Sequence, residues 1–128
     1  MIELQGRVAR SQGDTAAAHA LCMETLVMRR EAGHPVTLAH SFHALALLAA
    51  ERGGHAQSAE RAARLFGAAE PYHAALYGYW AAAPIWRAEH ERGLAAVRAE
   101  LGEARFAALW AEGEAMRLEE AYAYALES

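Results

Sequence analysis

Alanine fills 34 of the 128 positions, and glycine or proline interrupts the alanine-rich runs at helix-length intervals. Alanine is the best helix former and brings little packing volume. A chain written this way is confined to slim helices that lie close together, with larger side chains placed where gaps need filling. Its length suits one domain with a substantial core, held without metals or disulfides. No stretch alternates apolar and polar residues as a half-buried strand would, so the expected class is all-α.

The interruptions set the helix limits. Ile2 to Gln12 forms a first segment closed by Gly13, and Asp14 can cap the next. Thr15 to Ala32 carries Ala18, Leu21, Cys22, Thr25, Leu26 and Met28 at helical spacing, and Gly33 with Pro35 ends it. A third helix runs from Val36 to Arg52 with Leu38, Phe42, Leu45, Ala46 and Ala49 on one face. A fourth spans Ala56 to Ala69, where Pro71 should end or kink it. Gly78 to Ala83 reads as an irregular link, and Pro84 suits the first turn of a fifth helix reaching Glu100. A sixth holds Phe106, Leu109 and Trp110, with Gly113 as a breaker or in its last turn. A seventh runs from Leu118 to Leu126. The expected organisation is paired helices over residues 1–78 and closing helices over 79–128, in one continuous domain.

Residues Gly6 to Gly13 align with Ala46 to Gly53, forty positions later. Small residues coincide at Gly6/Ala46 and Ala9/Ala49, and large ones at Ile2/Phe42 and Val8/Leu48. Two helix axes approach closely only where one face is Gly or Ala. A period of about 34 to 47 residues with two helices each is the mark of helical solenoids. The run Arg7-Val8-Ala9-Arg10-Ser11-Gln12-Gly13-Asp14, then Ala18, Ala20-Leu21 and Leu26 through Glu31, resembles tetratricopeptide repeats (TPRs). The similar arrays are those C-terminal to the ATPase module in bacterial LuxR-type and other ATP-dependent transcriptional regulators. Glu60 to Glu70, Leu101 to Gly113 and Leu118 to Ala121 look like the elements that close such arrays. Pro71 and Arg117 depart from the pattern, the latter standing where a serine cap is usual.

The resemblance implies TPR-like antiparallel hairpins closed by an aromatic-rich helical cap, about seven helices in all. It also implies that the first helix of each hairpin lines a concave face. That would turn Glu3, Arg7 and Arg10, with His40, His43, Leu47 and Glu51, toward a groove for a protein or peptide partner. The arginines could then pair with a partner's carboxylates. No glycine-rich phosphate loop with Lys-Ser/Thr is present, and no helix-turn-helix follows the closing helices. The expectation is therefore a sensor or scaffold portion whose partner includes other domains of the same regulator.

Other chemistry is weaker. All 12 basic residues are arginine, with no lysine or asparagine, a usage that points to a GC-rich bacterial genome. A net charge of −4 opposes a nucleic-acid footprint. Cys22 is the single cysteine and fits a core better than a reactive site. His40 and His43 share a helix face, but the sequence holds no His-Glu-x-x-His, and neither a metal nor a cofactor is expected. Glu89/Glu91, Glu112/Glu114 and Glu119/Glu120 read as helix-surface carboxylates, so no enzyme is expected. Nothing resembles a membrane span or a signal peptide, giving a cytoplasmic expectation. The aromatic second half is mainly core, with Tyr79, Trp80 and Trp86 as a candidate pocket. Two alternatives stand beside the scaffold reading: a homo-oligomerisation module, in which two short arrays cover each other's exposed ends, and a small-molecule sensor built on those aromatics.

Overall fold

In the first described helix, α1 (Thr15–Ala32), Ala18, Cys22, Thr25 and Leu26 form one buried stripe. Arg29 and Arg30 sit in its last turn, where positive charge favours the helix dipole. Gly33 then adopts a left-handed conformation (φ 76°) and donates its N–H to the carbonyls of Arg29 and Arg30. That geometry suits glycine and closes the helix. The computed structural model describes residues 15–33, 35–51, 56–72 and 84–127. They hold five further helices: α2 (Pro35–Ala50), α3 (Ala56–Ala69), α4 (Pro84–Leu101), α5 (Glu103–Ala115) and α6 (Leu118–Leu126). A 3₁₀ turn, Glu70–Tyr72, follows α3 at Pro71. No strand occurs among the described residues.

Six helices stand against about seven expected; the segment Ile2–Gln12 and the link 78–83 lie outside the described residues. Pro35 is the first residue of α2 rather than a spacer before it. A proline's missing N–H costs nothing in a first turn, which explains the difference. Gly102 (φ 83°) divides α4 from α5, donating to the Arg98 carbonyl and accepting from Phe106 N–H.

The core centres on α2 and α3. Leu38, Phe42, Leu45, Ala46 and Leu48 of α2 are all buried, as are Ala62, Ala63, Leu65 and Phe66 of α3. Ala46, on the small-residue face inferred from the sequence, is wholly enclosed, and Ala49 packs half-buried against the core. Their counterparts Gly6 and Ala9 lie outside the described residues. The most extensive contacts of α3 are with α5 and α2, and it also meets α4 and α6.

The α3–α5 crossing is backbone against backbone. A Cβ on Gly67 would fall on the Trp110 carbonyl, and one on Gly113 on the Arg64 carbonyl, both closer than 3.0 Å. Arginines of α3 bind the periphery of this crossing. Arg64 pairs with Glu112 (2.9 Å) and reaches the Tyr124 hydroxyl, while the Arg61 guanidinium lies over the Tyr124 ring at 4.4 Å. The hydrogen bond to Tyr124 is the main reason the Arg64 guanidinium holds its proton even more firmly than usual.

Candidate functional site

Among the described residues, an open cleft lies between α2 and α4. These helices approach through Gly93, whose absent side chain leaves room for the Leu47 methyl; a Cβ there would sit 2.8 Å from Leu47 Cδ2 and 3.3 Å from Phe66 Cζ. Beyond this contact they diverge into a cleft of about 400 Å³ lined by Leu47, Ala50, Glu51, Ile85, Glu89, Arg92, Gly93 and Ala96. The floor is apolar. Ile85 stands 60% exposed at the cleft, an apolar contact point on its lining. Glu51, Glu89 and Arg92 bring both signs of charge to the lining.

One turn before Leu47 and Gly93, the same helices meet through two histidines. His43 Nε2 and His90 Nδ1 are 2.8 Å apart, a hydrogen bond whose direction depends on the tautomers. Both rings are buried, His43 at 4% and His90 at 8% exposure. Phe66 of α3 meets both edge to face, with centroids 5.8 Å from His43 and 5.6 Å from His90. An imidazole pair satisfies its polar atoms inside an apolar contact, as buried polar groups must.

Three of the residues inferred from the sequence to line a groove are described on α2 with their burial. His40, His43 and Leu47 were expected on an open concave face; all three are buried, at 8%, 4% and 7% exposure. For His43 and Leu47 the physical reason is α4, which packs on α2 through His90 and Gly93 and turns that part of the face into an interior. Leu47 still reaches the cleft floor, and Glu51 remains exposed at the cleft. Arg7 and Arg10 lie outside the described residues. So do Tyr79, Trp80 and the side chain of Trp86, so the aromatic pocket is not located.

The residues missed are Ala50 at the end of α2 and, on α4, Ile85, Glu89, His90, Arg92, Gly93 and Ala96. A signal for two of them was present. His90 and Gly93 fall three apart on the face that carries Val97, and a glycine inside an otherwise helix-favouring run marks a close approach.

No group of three or more His, Cys, Asp or Glu among the described residues is placed to hold a metal ion. No helix among them is long and apolar enough to cross a membrane. No family model matches the chain, and neither a curated protein nor a solved structure matches it.

Proposed function

We propose that this chain is a non-catalytic interaction scaffold, a stack of TPR-like hairpins that presents the α2–α4 cleft to a protein partner. The observation that carries the reading is the cleft's composition: an apolar floor of Leu47, Ala50, Gly93 and Ala96 with exposed Ile85 and the charges of Glu51, Glu89 and Arg92. An amphipathic helix laid in such a groove buries its apolar stripe and pairs its flanking charges. The motif resemblance adds the setting, the repeat region of a bacterial cytoplasmic transcriptional regulator whose own domains supply the partner.

The test is calorimetry between the chain and any ATPase or DNA-binding region that its gene context proves to encode beside it. The double variant Ile85→Asp, Arg92→Glu changes two exposed positions and should leave the fold intact. Covering an isoleucine contributes about 1.5–3 kcal/mol, so affinity should fall more than tenfold. Equal affinity for the double variant would remove the cleft as the binding face.

A second reading, self-assembly, is favoured by the exposed Val27 and Met28 on α1 and Leu126 on α6. Sedimentation separates the two readings. A concentration-dependent dimer that Met28→Glu abolishes, with no binding to the neighbouring regions, would make the chain an oligomerisation module. A cleft of this volume also falls within the small-ligand range; ligand-induced thermal shifts would reveal a sensor.

A further inference from the structure

We propose that His43 and His90 form a proton-controlled latch, holding α4 against α2 near neutral pH and releasing it in mild acid. The geometry of the pair sets this behaviour. The facing nitrogens, 2.8 Å apart, share one hydrogen: one ring donates and the other accepts. A first added proton goes to the outer nitrogen of the donating ring and leaves the bridging hydrogen in place, so the bond survives it. A second puts hydrogens on both facing nitrogens. Two N–H groups pointed at each other cannot bond at that separation, and the rings must part.

The surroundings oppose charge as well. Both rings are buried, and Phe66 lies against both, so an imidazolium formed there gives up its hydration. The titratable and charged groups on the adjoining elements do not lift this constraint. On α2 they are His40, buried one turn away, and Glu51 at the cleft. On α4, Glu89 and Arg92 are in the cleft lining, Arg87 and Glu91 pair with each other on the exposed side, and Arg98 and Glu100 lie two turns or more beyond His90. Beyond α3, Glu70 lies in the 3₁₀ turn. Between α3, α5 and α6, Glu60 pairs with Arg105, Arg64 with Glu112, and Arg61 with the Tyr124 carbonyl and ring, while Glu114 of α5 is exposed. Glu103 of α5 faces Arg98 of α4. A nearby carboxylate can steady one imidazolium, but it cannot restore an acceptor to a fully protonated pair.

The sign follows from proton counting. Parted, the two rings take up two protons below the ordinary imidazole range, near pH 6.5; closed, they hold at most one between them. Closure is therefore complete above that range and is lost as pH falls through it. The parting equilibrium rises at least about tenfold for each pH unit below about 6, and about a hundredfold where the closed pair holds no added proton. Because the latch lies one turn from Leu47 and Gly93, its release widens the contact that forms the cleft floor.

Amide hydrogen exchange on the full chain, from pH 8 to 5 in EDTA and corrected for intrinsic rates, tests this without any partner. Amides of α4 from His90 to Val97 should lose protection at least about tenfold per pH unit below about 6, while those of α5 from Leu109 to Gly113 keep theirs. In His90→Gln the amide can still donate or accept but does not titrate, and the pH slope of α4 should flatten. Parallel loss of protection in α4 and α5 would mean global acid unfolding and would overturn the latch. A second measurement covers a variant that does not fold: the imidazole resonances of His43 and His90 in the unaltered chain. Titration of the two rings in step with α4 exposure supports the proposal; titration of both with α4 still protected overturns it.

Discussion

Two helix contacts in this molecule use glycine in opposite ways. At the α3–α5 crossing, Gly67 and Gly113 remove every atom between the backbones, and carbonyls of one helix fill the space where the other's side chains would be. At the α2–α4 contact, Gly93 admits a side chain, the flexible tip of Leu47, and a histidine pair replaces apolar packing one turn away. The first contact has no freedom to adjust. The second can yield by rotating a leucine or protonating an imidazole. Rigid support and adjustable surface are thus separate parts of one small helical unit, and α3, with Phe66 on the histidines and Gly67 at the crossing, belongs to both.

The largest effect should come from Gly113→Ala. Helix propensity alone predicts a gain of about 1 kcal/mol. The new methyl, however, meets the Arg64 carbonyl, which is backbone and cannot rotate away. Forcing packed helices apart costs about 1–3 kcal/mol or more, and a backbone clash belongs at the upper end. The expected net loss is about 2 kcal/mol in urea unfolding, despite the propensity gain. Gly67→Ala should behave alike, and the double variant should cost less than the sum because one separation accommodates both methyls. A stability gain in either single variant would show that the crossing is not closed by glycine.

Gly93→Ala should be milder. Its methyl meets Leu47 Cδ2, the far end of a side chain that can turn toward the cleft. Strain and propensity then nearly cancel, leaving a change within about 1 kcal/mol. The sharper readout is coupling. Leu47→Ala alone should cost about 2 kcal/mol, the low end for a buried leucine because its site borders open space. In the Gly93→Ala background the loss should shrink by about 1 kcal/mol, since the added methyl partly fills the void. Strict additivity would mean that the two residues do not share a contact.

The same contrast explains what the sequence discloses. Helix limits are local chemistry, and so Thr15–Ala32, Ala56–Ala69 and Leu118–Leu126 are legible from glycine, proline and apolar spacing. Periodicity also picks out the buried faces of α2 and α3, where Phe42, Ala46, Ala62 and Phe66 lie. It does not say what covers a face. His40, His43 and Leu47 fall beside the main apolar stripe of α2 and read as a groove, yet all three are buried, and α4 closes over His43 and Leu47. The covering depends on a pair 47 positions apart, which no local pattern encodes. Gly67 and Gly113 are likewise meaningful only together, since each alone resembles an ordinary helix weakness.

The smallest effect tests the last helix, where the departure at Arg117 has a structural consequence. Glu120 Oε1 accepts the Arg117 N–H at 2.9 Å, which is one half of a capping box. The other half needs a side-chain acceptor for the Glu120 N–H, and a guanidinium has none. The accompanying Arg117–Glu120 ion pair, at 3.5 Å with both side chains exposed, contributes little. Arg117→Ser would supply the missing hydroxyl and should stabilise the helix by about 0.5–1 kcal/mol, read as a small rise in the urea midpoint. The Glu120 carboxyl already sits below its ordinary range, chiefly because of the bond from Arg117 N–H. Its half of the box is therefore intact above the ordinary carboxylate range and is lost as pH falls through the lowered value. The benefit of serine, which rests on a neutral hydroxyl, should persist below that point. A stabilisation that disappears as Glu120 takes up its proton would instead trace the gain to removing the arginine's charge.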